Sequence, residues 1–169
     1  MVQPIGLGGL SVGMSPTSDA ISDEESIRRG IVFVGARRET LTNGSQIHFH
    51  ILTGSAPVVM RFTFTSEGNS RISFREDSTF TSDGTVLSVF NRNRNSSRIA
   101  QTQIWYNPTL NSGGTILGLW HNPSSIAQIK SFILKPNTRY YVQSVNSSGV
   151  TTDSSIVVDW YERDLDLIV

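Results

Sequence analysis

The sequence predicts an all-β protein, an antiparallel jelly-roll-like β-sandwich with an extended N-terminal arm. Three observations carry this expectation. From Ile31 onward apolar residues recur with a period of 2, the spacing of half-buried strands. The dipeptides Asn43-Gly44, Asp83-Gly84, Gly113-Gly114, Pro136-Asn137 and Ser148-Gly149 fall between the apolar runs, where tight turns need residues that tolerate unusual backbone angles. Charged residues are few, at 17%, and the polar share rests on Ser, Thr and Asn beside 14 Gly and 6 Pro, as many short strands and turns require.

Taken in order, residues 1–25 read as the arm and residues 26–169 as the sandwich. The arm contains four Gly and two Pro and sustains neither a strand nor a helix period. It nevertheless carries Ile5, Leu7, Leu10, Val12 and Met14, more apolar side chains than a solvated linker needs. It either orders by packing on a neighbouring subunit or folds back on its own domain, and the sequence leaves both open. Ser22 to Ser26, with Glu24 and Glu25 early, forms an N-cap pattern for about one helical turn, ended by Gly30. No other helix is expected.

The strands follow. In 46–52 (QIHFHIL), Ile47, Phe49 and Ile51 share one face. In 58–65 (VVMRFTFT), Met60, Phe62 and Phe64 face inward while Arg61, Thr63 and Thr65 face outward. Runs at 85–90, 98–106, 115–120, 129–134, 138–145 and 155–162 have the β-branched and aromatic content of strands. About eight to ten strands spaced by 10 to 15 residues suggest two packed antiparallel sheets. The tail 163–169 (RDLDLIV) ends in apolar residues suited to an edge strand or a subunit contact.

Composition bounds the function. With 14 basic and 14 acidic residues the formal net charge is zero, which argues against nucleic acid and against an anionic membrane surface as partners. Arginine supplies 12 of the basic positions, and it is enriched at protein interfaces and suited to bidentate pairing with carboxylates. There is no cysteine, so disulfides, thiolate metal sites and cysteine nucleophiles are excluded. No apolar run is long enough to span a bilayer as a helix, and the N-terminus lacks the pattern of a secretory signal.

Candidate sites are few. His48 and His50 are two apart on one strand and point the same way, but a metal centre needs a third ligand and His121 cannot be placed from sequence. Two histidines on a polar strand face are more often solvated or hydrogen-bonded. The nearest acidic clusters are Glu76 with Asp77 and Asp159 with Glu162, positions where carboxylates are usually solvated. No GxSxG elbow and no phosphate-binding glycine loop occurs. Trp105 and Trp120 could stack on sugars, whereas Trp160 shares a face with Ile156 and Val158 and belongs to the core. No metal, no cofactor and no catalytic residue is expected. The run 91–97 (NRNRNSS) is the most distinctive polar stretch. If its strand continues, Arg92 and Arg94 project from one face toward carboxylates on a facing surface; otherwise the asparagines shape a solvent loop.

Four segments carry a resemblance. They are 74–97 (FREDSTFTSDGTVLSVFNRNRNSS), 103–117 (QIWYNPTLNSGGTIL), 133–149 (ILKPNTRYYVQSVNSSG) and the closing 158–162 (VDWYE). In this order they resemble a family of small β-sandwich virion proteins of tailed bacteriophages, described as capsid decoration or cement proteins. The likeness spans 74–162; it is looser over 30–67 and does not cover the arm. The family commonly carries a Gly-rich insertion before the LKPNT strand, where this chain has only 121–131 (HNPSSIAQIKS). The resemblance implies a protein that binds the outer surface of a phage head, bridges neighbouring major capsid protein subunits and stabilises the shell. It further implies self-association as a homotrimer or dimer, and assembly in the host cytoplasm onto the capsid surface of the virion. The interface candidates are then Ile5, Leu7, Leu10, Val12, Met14, Arg92 and Arg94. The alternative is a tail-associated receptor- or glycan-binding β-sandwich.

Overall fold

The computed structural model describes residues 23–162. The interface candidates Ile5, Leu7, Leu10, Val12 and Met14 and the tail 163–169 lie outside the described residues.

One short helix, α1 (Asp23–Arg28), opens the described chain. Gly30 ends it with φ +68°: its N–H bonds to the Ile27 carbonyl at 2.9 Å, and Ile31 N–H reaches back to Ser26 at 3.3 Å, the paired bonds of a left-handed helix cap. Everything after it is strand and turn. The strands are β1 (Val32–Leu41), β2 (Gln46–Leu52), β3 (Val58–Ser66), β4 (Ser70–Glu76), β5 (Thr79–Ser82), β6 (Thr85–Val86) and β7 (Val89–Asn91). Then come β8 (Gln103–Tyr106), β9 (Thr109–Ser112), β10 (Thr115–Asn122), β11 (Gln128–Leu134), β12 (Arg139–Asn146) and β13 (Thr152–Glu162).

They form two packed antiparallel sheets, so the protein is an all-β sandwich. The five-stranded sheet runs β11-β3-β13-β1-β7, and the six-stranded sheet runs β10-β4-β12-β2-β8-β6. The ribbon β5-β9 stands apart from both. The pairing is nested: β1 with β13, β2 with β12, β3 with β11 and β4 with β10, all antiparallel. The segment between β4 and β10 supplies β5 to β9. It lays β7 along the free side of β1 and β8 along the free side of β2, so one side of the sandwich is extended in both sheets. The sequence run 85–90 is therefore not one strand. It breaks at Leu87, which turns into the core while the chain crosses from one sheet to the other. Gly35 leaves the room for this, because a Cβ there would press on Leu87 and Val89. The run 98–106 becomes strand only from Gln103.

The core lies between the sheets. Ile47, Phe49 and Ile51 of β2, Met60, Phe62 and Phe64 of β3, and Ile156, Val158 and Trp160 of β13 are all buried, as their period-2 spacing predicts. Phe74 of β4 joins the layers: its ring centre is 5.3 Å from Phe62, 4.6 Å from Phe132 and 5.5 Å from Tyr140. The turns also follow the sequence. In all five dipeptides the second residue has positive φ: Gly44, Gly84, Gly114, Asn137 and Gly149. Gly114 is needed for space as well, since a Cβ would fall on the Glu76 carbonyl oxygen.

Two buried polar side chains tie strand ends together. Glu162, buried at the end of β13, accepts the Gln101 and Thr102 N–H groups at 3.0 and 2.8 Å and the Trp160 Nε1–H at 3.2 Å. Asn146 donates to the Leu41 and Val150 carbonyls at 2.8 and 2.7 Å, fixing the ends of β1 and β12.

Candidate functional site

The outer face of the six-stranded sheet collects most of the reactive side chains. Strand register sets their grid. His50 lies opposite Tyr141 and Trp105; His48 lies opposite Gln143. On the far side, Arg71, Ser73 and Arg75 of β4 stand opposite Val145, Gln143 and Tyr141 of β12, and opposite His121, Leu119 and Ile116 of β10.

His50 is not on a solvated face. The β5-β9 ribbon brings Phe80 over it, and the imidazole is stacked between Phe80, at 3.9 Å between ring centres, and Trp105, at 4.8 Å. Its side chain is fully buried. Asp83 Oδ1 sits 3.2 Å from Nδ1 but out of line for a hydrogen bond, and neither ring nitrogen has a hydrogen-bond partner. Burial is the main cause that pushes the His50 pKa down to about 4; Asp83 opposes the shift and Arg139 adds to it. His48 behaves as the sequence suggests for a polar face. Its Nδ1 is 2.9 Å from the Tyr141 hydroxyl, which donates to Gln143 Oε1 at 3.0 Å. Burial lowers the His48 pKa and pushes Tyr141 up to about 12.

The linkage has a direct consequence for stability. A histidine whose folded pKa is depressed stays neutral in the fold, while the unfolded chain binds its proton below about 6.5. Stability is therefore unaffected above that value, falls as pH drops from about 6.5 to about 4, and falls no further below. At ~1.4 kcal/mol per unit the loss over this window is about 3–4 kcal/mol. The variant His50→Phe keeps the stack and removes the titration. Its urea midpoint is expected to change less than the wild-type midpoint between about pH 7.5 and about pH 4.5. Equal changes in the two proteins would remove His50 as the cause.

Of the remaining candidates, the acids are engaged in holding the fold. His121 is three strands away from His48, on the order of 14 Å, so the two do not converge. Among the described residues no three His, Asp or Glu side chains gather around one point. Glu76 binds Lys135 at 2.7 Å and accepts from Tyr140 at 3.0 Å; the Lys135 hydrogen bond is the main cause lowering its pKa. Asp159 pairs with Arg61 on the outer face of β13, and Glu162 points to the inner face, so these two carboxylates do not form a pair. Trp160 is core, while Trp105 and Trp120 are half-buried.

Arg92 and Arg94 do not extend a strand. β7 stops at Asn91, because the asparagines bend the chain: Asn93 N–H bonds to Asn91 Oδ1 at 2.9 Å and Asn95 N–H to Asn93 Oδ1 at 3.0 Å. Asn91 and Asn93 donate to the Gly30 and Arg28 carbonyls, fastening this turn to α1. Both arginines are exposed. Arg94 lies 5.4 Å over the Phe90 ring, while Arg92 borders a small depression with Asp159 and Tyr161.

The feature that the sequence reading missed is an apolar edge. β10 and β11 are the edge strands of the two sheets on the same side of the sandwich, joined at the interior by Trp120 against Phe132, 5.9 Å between ring centres. Ile116, Leu117 and Leu119 of β10, Ile126 of the connection, and Ile129 and Ile133 of β11 are all exposed, Ile133 at 73%. The adjacent apolar pairs Ile116-Leu117 and Ile133-Leu134 break the period of 2, which is how a strand apolar on both faces announces itself. In comparisons with known proteins, no family model and no curated protein matches the chain.

Proposed function

We propose that the protein is a capsid decoration, or cement, protein of a tailed bacteriophage. It binds the outer surface of the head, bridges neighbouring major capsid protein subunits and stabilises the shell. The observation that carries this is the exposed apolar side of β10 and β11. Six large aliphatic side chains stand in solvent along these two strands and their connection, Leu119 on the outer face of the six-stranded sheet and Ile129 and Ile133 on the outer face of the five-stranded sheet, and exposed apolar side chains of this number mark protein–protein contacts. The nested strand pairing supports reading the sandwich as a jelly roll, the architecture the phage resemblance implies. On a shell the same contact recurs at every symmetry-related position, so modest contacts sum across the particle. Self-association as a trimer or dimer and the arm 1–25 as a reach to a neighbour belong to the same proposal.

Co-sedimentation with expanded, undecorated capsids tests it. Full-length protein is expected to pellet in proportion to capsid subunits. The double variant Ile129→Asp, Ile133→Asp changes two exposed positions and is expected to lose at least about tenfold in affinity, or about 1.4 kcal/mol. If the full-length chain stays in the supernatant, the proposal fails. A handful of copies per purified virion would place the protein at the tail instead.

A further inference from the structure

We propose that the outer face of the six-stranded sheet beside β10 is a docking groove for an extended, acidic segment of the partner protein. Its glutamate or aspartate side chains bind Arg71 and Arg75. The identification of that partner as the capsid protein rests on the function proposed above; the chemistry of the groove does not.

Arg71, Ser73 and Arg75 alternate onto one face of β4 and line a shallow depression of about 600 Å³ with Leu119, His121 and Gln143. Arg28, Arg37, Arg38, Arg61 and Arg139 each have a carboxylate partner within 4 Å; among the described residues Arg71 and Arg75 have none. Asp83, at the far end of this face, is already between His50 and Arg139. The floor is unsatisfied as well. Ser73 Oγ is buried with no partner, and so is Arg75 Nε. Gln143 Oε1 is taken by the Tyr141 hydroxyl, which leaves the amide N–H groups to donate. The Arg75 guanidinium packs against Gly113, whose missing side chain provides its seat. The groove therefore offers donors and positive charge, and carboxylates are the matching ligand groups.

The extended form of the ligand follows from β10. This strand pairs only with β4, so its other edge presents free backbone groups to any strand laid beside it. A strand there points every second side chain to the same side as Arg71 and Arg75, two strands and on the order of 10 Å away, a gap that long acidic and arginine side chains together can bridge. Arg71 and Arg75 are four residues apart on one strand, on the order of 13 Å, so acids four residues apart on the incoming strand meet both. Leu119 between them, 64% exposed, offers contact to an apolar residue at the middle position. A sugar fits less well, because the one aromatic residue of the lining, Trp120, turns its ring inward to Phe132 and Lys130.

The test uses the full chain and a fluorescent, otherwise uncharged Val/Thr peptide with two glutamates four residues apart, read by anisotropy. The same peptide with glutamines is the control. The glutamate peptide is expected to bind, and to weaken at least about tenfold with the glutamine control, with Arg71→Glu, Arg75→Glu, or at high salt. Amide shifts confined to Thr115–Asn122 and the facing strand would place it on β10. Equal binding of both peptides, no effect of the double variant, or preferential binding of an oligouronate at these arginines overturns the inference. In capsid co-sedimentation, a double variant that binds as wild type also overturns it and leaves the cement reading standing. If wild type itself fails to bind capsids, that reading falls and the peptide result alone decides this one.

Discussion

Replacing Phe74 by alanine is expected to destabilise the fold by about 3–5 kcal/mol, a large share of the stability of a domain this size. The reason is position more than size. Phe74 is fully buried, and its ring meets Phe62 from the opposite sheet, Phe132 from the opposite edge strand and Tyr140 from its neighbour in the same sheet. Removing it opens a cavity where the two sheets are clamped at the side carrying β10 and β11. That cavity cannot collapse without drawing the sheets together, so both the transfer loss and the void are felt. Phe74→Leu conserves most of the volume and is expected to lose only about 1–2 kcal/mol. Urea unfolding monitored by tryptophan fluorescence checks both. A loss below about 1 kcal/mol for the alanine variant would show that the aromatic cluster is not the clamp. The same variant separates stability from binding. If β10 and β11 form the docking side, loosening the clamp beneath them weakens capsid binding at temperatures where the domain is still folded.

The alternating strands were the legible part of the sequence because one face of each is fully buried. Ile47, Phe49 and Ile51, or Met60, Phe62 and Phe64, leave no freedom in register. The turns were legible because positive φ is a local demand that Gly and Asn meet locally. What was hidden depends on partners far along the chain. β1 escapes a simple pattern because its inward positions include Arg37 and Glu39, which bond each other at the open side of the sandwich while Arg37 lies 4.2 Å over the Tyr106 ring. The burial of His50 is decided by Phe80, thirty positions later on a separate ribbon. β4, with two arginines and three serines or acids in seven residues, reads as polar although Ile72 and Phe74 are at the centre of the core. The Asn/Arg run offered a strand and a loop as alternatives, and side-chain hydrogen bonds to its own backbone decide for the loop.

Glu162→Ala is expected to cost about 3–4 kcal/mol and to free the segment around Arg98 before the sandwich itself unfolds. The carboxylate of Glu162 is buried and serves three donors, the Gln101 and Thr102 amides and the Trp160 indole. Hydrogen bonds to a charged acceptor contribute about 1.5–3 kcal/mol each, and losing the acceptor leaves the donors buried and unmet. Glu162→Gln tests the charge separately. It keeps the shape but can present only one oxygen, and its amide hydrogens face an N–H group, so it is expected to lose about half as much. The local effect has its own readout, because Arg92, Arg94 and Arg98 put trypsin sites into the segment that Glu162 fastens. Limited trypsin digestion under native conditions is expected to cut the alanine variant there at a rate well above wild type, with the remaining strands protected. If global stability falls without faster cleavage in this segment, Glu162 supports Trp160 and the core rather than the loop. If neither changes, the three hydrogen bonds contribute nothing that water does not replace. The segment also carries Arg92 and Arg94 and is fastened to α1, where the described chain begins. A variant that loosens it while sparing β10 and β11 therefore asks whether this end of the molecule takes part in capsid binding at all.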